Sequence, residues 1–190
     1  MASPQETTRH TQLSLAEHAA PALDNVALDR VRRQSLQQQH SAAELLWRKG
    51  VVKLLNDALA TELVCVLRYK RHHYTAHGLA SPAIAEEFAV HATEEMGHAD
   101  RLARRIVQLG GEPDFSPETL LQRSHAGYDA ALELASMIRA NLIAERVAVE
   151  SYSQLVRLVG DRDPSTRRLL EDILADEQRH ADELQGWLAD

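Results

Sequence analysis

Six side chains of this 190-residue chain have the types and spacing of a metal centre: Glu62, Glu95, His98, Glu145, Glu177 and His180. Two Glu-x-x-His motifs, Glu95-Met96-Gly97-His98 and Glu177-Gln178-Arg179-His180, put an acid and an imidazole on one face of a helix. Glu62 and Glu145 are each followed seven residues on by a tyrosine, Tyr69 and Tyr152. The two halves repeat at an offset of 82–83 residues, pairing Glu62 with Glu145, Glu95 with Glu177 and His98 with His180. Residues one turn away are mostly apolar, among them Ala58, Leu59 and Val66 around Glu62 and Leu142, Ala148 and Val149 around Glu145. All four acids therefore point inward with the apolar stripe. Carboxylates gathered in a core repel one another and lose hydration, which is costly unless cations compensate, and two divalent ions supply four positive charges. Oxygen-rich ligation with one imidazole per ion suits iron or manganese better than structural zinc. Two bridging and two terminal carboxylates leave coordination positions open, the geometry of a di-metal oxidation site. The tyrosines either hydrogen-bond the terminal carboxylates or supply an electron; ordinary core phenols are the competing reading.

Helices must position these groups. Apolar residues recur at three and four from Leu45 and Leu46 through Leu54, Leu55, Leu59, Leu63 and Leu67, and this stripe predicts a helix from Ser41 to Gly78. Ser81-Pro82 reads as the N-cap and first position of a second helix that ends at Gly110-Gly111. Residues 111–127 form a connection with one short helical turn at Ser116–Leu121, long enough to cross a bundle. A third helix is expected from about Tyr128 to Gly160, and Asp163-Pro164 opens a fourth. Each acid lies at about the same depth from its hairpin turn, so antiparallel pairing brings all four to one level. The expected domains are a partly helical arm over residues 1–44 and a four-helix bundle over 45–190.

Composition agrees with four long helices. Eight Gly and six Pro fall well below the usual share, and aromatics make up 4% of the chain, which excludes a strand-rich sandwich or a low-complexity linker. Residues 1–50 hold six Lys/Arg against five Asp/Glu, and residues 51–190 hold 15 against 23. The acidic part is the bundle, which excludes a broad grip on a phosphate backbone, so DNA binding is not expected. Cys65 is the single cysteine, too few for a disulfide, a zinc ribbon or a four-thiolate iron site. Without an apolar span or a secretory leader, the chain is expected to be cytoplasmic, with no membrane partner.

One Glu from each of two helices plus two Glu-x-x-His motifs resembles the ferritin-like di-iron carboxylate bundles. More narrowly, Glu62-Leu63-Val64, Glu95-Met96-Gly97-His98-Ala99-Asp100-Arg101 and Leu109-Gly110-Gly111-Glu112-Pro113 look like bacterioferritin, over about residues 50–188. The resemblance implies an all-α, antiparallel four-helix bundle of ferritin-like type, with a long crossover between its second and third helices. It implies two irons per subunit, with Glu62 and His98 as terminal ligands of one, Glu145 and His180 of the other, and Glu95 and Glu177 as bridges. The implied activity is that of a ferroxidase, oxidising Fe(II) with O2 or H2O2 and storing ferric mineral in a homo-oligomeric cage. The sequence stops at Asp190 without the fifth helix of bacterioferritins, and its N-terminal arm resembles those of the Dps-type mini-ferritins. A shell of 12 subunits is therefore favoured over 24. A di-iron peroxidase or oxygenase and a DNA-protecting mini-ferritin are the alternative functions.

Bacterioferritins bind haem between two copies of a methionine, and Met96 beside Glu95 invites that comparison. A methionine packed in a subunit contact is favoured over haem b ligation. His91, one turn before Glu95, is either an auxiliary iron ligand or a hydrogen-bonded core histidine. His72, His73 and His77 stand where imidazolium complements the end of a helix dipole. Arg30, Arg32 and Arg33 in the arm read as solvated helix surface rather than a DNA contact.

Overall fold

The computed structural model describes residues 23–37, 41–77 and 81–189. The chain divides between Ser41 and Ala42 into two units. In the first, α1 (Asn25–Gln37) is capped by the Asp24 carboxylate, which accepts from the backbone N–H groups of Val26 and Ala27 at 2.9 and 3.1 Å. Within α1, Arg32 pairs with Asp29, and Arg30 and Arg33 are exposed.

The second unit is an all-α, antiparallel four-helix bundle, and no strand occurs among the described residues. Helix α2 (Ala42–Thr75) pairs with α3 (Ser81–Gln108), and α5 (Leu134–Val159) pairs with α6 (Pro164–Trp187); a short α4 (Leu120–Arg123) sits in the crossover between the pairs. One face of α2 buries Val51, Leu55, Ala58, Glu62, Cys65, Tyr69 and His72 and so carries both apolar core and chemistry, while Asp57, Ala60, Thr61, Val64 and Arg68 are buried beside it. Two apolar clusters close the bundle around its polar middle. One is built on Leu55, Leu59, Leu102, Ile106, Leu170 and Ile173; the other on Phe88, Met137, Ile138, Leu142 and Leu184.

Helix ends follow local chemistry. After α3, Gly110 adopts φ +81°, and the N–H groups of Gly110 and Gly111 bond the carbonyls of Val107 and Ile106, a Schellman stop. A Cβ on Gly111 would lie 2.5 Å from a methyl carbon of Val52, so the chain passes close to α2 there. Asp163 caps α6: its carboxylate accepts from the Thr166 N–H at 3.0 Å and receives Arg105 at 2.7 and 2.9 Å. Although burial opposes it, these bonds from Thr166 and Arg105 hold the Asp163 carboxyl below its ordinary value of 3.8. The stability it contributes is thus present above that value and lost as pH falls through the lower folded value. Asp163→Ala is expected to cost about 2 kcal/mol and lower the thermal midpoint by about 4–8 °C, read by circular dichroism at neutral pH.

The connections differ from expectation in two places. The third bundle helix starts at Leu134 rather than near Tyr128, because the Asp129 carboxylate takes the Ala131 N–H at 2.8 Å and Glu133 stays extended. The helical turn expected at Ser116–Leu121 forms instead at Leu120–Arg123, since Asp114 captures the Ser116 N–H. The crossover thus runs from Leu109 to Glu133, along α2, held by a column of polar side chains. Asn56 bonds the backbone of Glu112 and Asp114, Thr61 receives the His125 N–H, and Arg68 and Arg71 donate to the carbonyls of Gly127 and Ala131. Gly78 and the side chain of Ser81, expected to stop α2 and cap α3, lie outside the described residues.

Candidate metal centre

Glu62, Glu95, His98, Glu145, Glu177 and His180 come together midway along the bundle, each at most 3% exposed. They form two groups of four, Glu62-Glu95-His98-Glu177 and Glu95-Glu145-Glu177-His180, in each of which one potential ligand atom per residue lies within 4.8 Å of the rest. Glu95 and Glu177 belong to both. Glu95 turns Oε2 toward His98 Nδ1 at 3.3 Å and Oε1 toward His180 Nδ1 at 3.6 Å. Glu177 turns Oε1 toward His98 Nδ1 at 3.0 Å and Oε2 toward His180 Nδ1 at 3.9 Å. Each shared acid therefore offers one oxygen to each side. Five buried atoms here have no hydrogen-bond partner: Glu95 Oε1, Glu145 Oε2, both oxygens of Glu177, and His180 Nδ1. Unsatisfied buried groups each cost about 1–3 kcal/mol, so five converging on one place make a set of groups that could hold a cation.

Protons take over part of that charge in the metal-free protein. Burial, with Glu95's charge beside it, pushes the Glu62 carboxyl up to about 8. Burial and the charges of Glu95, Glu62 and Glu145 push Glu177 well above the usual carboxylate range. For Glu95, the neighbouring imidazoles of His180 and His98 outweigh burial and hold it well below that range. The imidazoles move the other way. Burial works against His180, but Glu145 and Glu95 raise it to about 10, and Glu177, Glu62 and Glu95 likewise outweigh burial to raise His98. These shifts favour a deprotonated Glu95 between two imidazolium groups.

The supporting groups cross between the halves. Tyr152 donates to Glu62 and Tyr69 donates to Glu145, each from the other half of the repeat. The outer nitrogens of the imidazoles are held the same way, His98 Nε2 by Asp176 at 3.2 Å and His180 Nε2 by Glu94 at 2.7 Å. This leaves both Nδ1 atoms facing the centre. Glu94 and Asp176 escaped the sequence reading, yet each immediately precedes a shared acid and the two keep the 82-residue offset. Arg179 joins them from the surface, reaching Glu94, Asp176 and Glu183.

His91 is a buried, hydrogen-bonded histidine that also offers a potential ligand atom beside those of Glu145 and His180, so both readings of it stand. Its Nδ1 meets the Tyr69 hydroxyl at 3.1 Å, its Nε2 meets Glu183 at 2.9 Å, and its ring stacks on His180 with centroids 4.2 Å apart. Met96 is 39% exposed on the outward side of α3, away from the centre. The histidines at the end of α2 correct the expectation of a charged cluster. His72 is fully buried, and burial next to the Arg68 cation lowers it to about 4, so it is neutral at pH 7 and complements no dipole. His73 Nδ1 bonds the Ala85 carbonyl at 2.6 Å, and only His77 is exposed.

Comparison with known proteins places the bundle. The family model described as "Ferritin-like domain" matches residues 52–190. A bacterioferritin of Desulfovibrio desulfuricans is 30% identical over 131 residues, 68% of this chain and 69% of that one. The solved bacterioferritin structure from that species, described as showing its diiron site in different catalytic states, superposes with a TM-score of 0.68 at 26% identity, covering 76% of this chain and 81% of that one. The bacterioferritin-related protein of Bacteroides fragilis, described as a dodecameric thioferritin, reaches a TM-score of 0.73 at 30% identity, over 75% of this chain and 86% of that one. A nutrient stress-induced DNA-binding protein of Synechococcus is 31% identical over 71% of this chain and 78% of its own length.

Proposed function

The chain belongs to the ferritin-like family, and from that premise we propose that it oxidises Fe(II) at the buried six-residue centre and stores the ferric product in a cage built of identical subunits. The observation that carries this reading is the pair of shared acids, Glu95 and Glu177, each presenting one oxygen to each of two ligand groups amid five unpartnered buried atoms. Glu62 and His98 would hold one iron, Glu145 and His180 the other, with Glu95 and Glu177 bridging. Two ferrous ions there give up one electron each to O2 or H2O2, which takes up protons. Tyr152 and Tyr69 fix the terminal carboxylates, while Asp176 and Glu94 fix the imidazole tautomers so that Nδ1 is the ligand atom. The Tyr69 hydroxyl also links Glu145 to His91, so this carboxylate is held from two helices.

A shell of twelve is favoured over twenty-four, in line with the dodecamer described for the Bacteroides relative at 30% identity. Met96 faces outward and serves as a packing residue between subunits in preference to a haem ligand. The single thiol, and the absence among the described residues of any helix long and apolar enough to cross a membrane, fit a cytoplasmic protein without a membrane partner. DNA is not an expected ligand of the acidic bundle.

The test joins assembled mass to iron chemistry. Light scattering is expected to give a particle of twelve chains, and an aerobic Fe(II) titration is expected to break at two irons per chain. A monomer that turns over an organic substrate would point to a di-iron oxygenase or peroxidase instead. Retardation of DNA at physiological salt by protein that binds no metal would point to a DNA-protecting role.

A further inference from the structure

The 82–83-residue repeat that makes the six ligands symmetric breaks down one layer out. Arg68 corresponds to Ser151, Asn141 to Ala58, and His91 to Ile173. Every polar member of these pairs that is fully buried lies on the Glu145 side. Arg68 is 1% exposed; its guanidinium donates to Asn141 Oδ1 at 2.7 Å, to the Gly127 carbonyl at 3.0 Å and to the Cys65 thiol at 3.3 Å, and lies 5.6 Å from the centre of the Tyr69 ring. Asn141 stands one turn before Glu145 on α5, and Tyr69 donates to Glu145. No carboxylate among the described residues bonds this cation. Asp129, 42% exposed on the crossover, approaches His72 rather than Arg68, and Glu145 is the acid whose charge reaches the guanidinium. On the other side, Ala58 and Ile173 pack into the apolar cluster beneath Glu62 and His98.

A buried guanidinium repels a dication far more strongly than a solvated one, because little water lies between them. Resting on the di-metal reading above, we propose that the two positions are unequal: Glu62–His98 binds its metal first and tightly, and Glu145–His180, with Arg68 behind it, binds second and at least about tenfold more weakly. Arg68 is then a positioning residue that acts on the metal through charge.

The test is Co(II) titration of the assembled, metal-free protein, followed by cobalt absorption and calorimetry. Two bound dications repel each other in any such centre, so two steps in the wild type do not decide the order; single-ligand variants do. His180→Ala, which spares the Glu62 position, is expected to bind one Co(II) at least about tenfold more tightly than His98→Ala, which spares the Glu145 position. Adding Arg68→Met to His98→Ala is expected to recover most of that difference. Equal affinities in the two single variants, or the reverse order, overturn the proposal, and their comparison decides the matter even if the Arg68 variant does not assemble. A wild type that binds no Co(II) overturns the di-metal reading itself.

Discussion

Glu95→Ala is expected to abolish the fast, two-iron phase of Fe(II) oxidation and to weaken Co(II) binding at both positions by more than about a hundredfold. The estimate starts from the 10–100-fold typical of losing a group that merely supports a ligand, and Glu95 stands closer to the metal than that. It turns one oxygen to each imidazole, so its removal strips both positions at once, whereas loss of Glu62 or Glu145 strips one. It also carries the charge between His98 and His180 in the metal-free protein, and alanine leaves two buried imidazoles without that counter-charge. The variant should therefore also lose thermal stability, through an uncompensated buried charge rather than through lost packing. Stopped-flow absorbance during aerobic Fe(II) addition measures the first effect, with circular dichroism to show that the bundle is formed. A fast phase that survives in folded Glu95→Ala would remove Glu95 from the centre.

The centre was legible in the sequence because its geometry is helical and internally repeated. Seven-residue and three-residue spacings fix which groups share a face, and equal depth from two hairpin turns fixes their level; both are local properties. The supporting acids were harder to see. Glu94 and Asp176 lie one residue before inward-facing acids, about 100° around the helix, where a carboxylate on a charged helix reads as solvated. Their bonds to His180 and His98 come from the neighbouring helix. His72 was misread for a similar reason. As the end of a lone helix it belongs in water, but the crossover lies along α2 and buries it beside Arg68 and Asn141. That crossover was itself placed too short, since a helix start depends on which groups compete for the first N–H donors. The Asp129 carboxylate holds the Ala131 N–H and delays the helix to Leu134. Arg68 could be noticed only by laying one half of the repeat over the other, where it faces a serine.

Divalent metal is expected to raise the thermal midpoint of the assembled protein by about 10 °C, and by more at pH 8 than at pH 6. A ligand bound only by the folded state at a hundred to a thousand times its dissociation constant adds about 3–4 kcal/mol, and a chain of this size shifts about 2–4 °C per kcal/mol. The pH dependence follows from the displaced protons. His180 is raised from 6.5 to about 10 in the folded protein, so its contribution is complete below 6.5 and lost as pH rises through about 10. Glu62 is raised from 4.5 to about 8, so the folded state favours its protonated form; that stability, too, is lost as pH rises toward 8. Both groups make the metal-free bundle less stable between pH 6 and 8. The loaded bundle, in which cations replace those protons, escapes the loss, and metal binds more tightly as fewer protons must leave. Thermal scans with and without Co(II) at the two pH values should show the gap widening with pH. A gap that narrows, or a metal-free midpoint that rises from pH 6 to 8, would mean that protons do not hold the place of metal in this core.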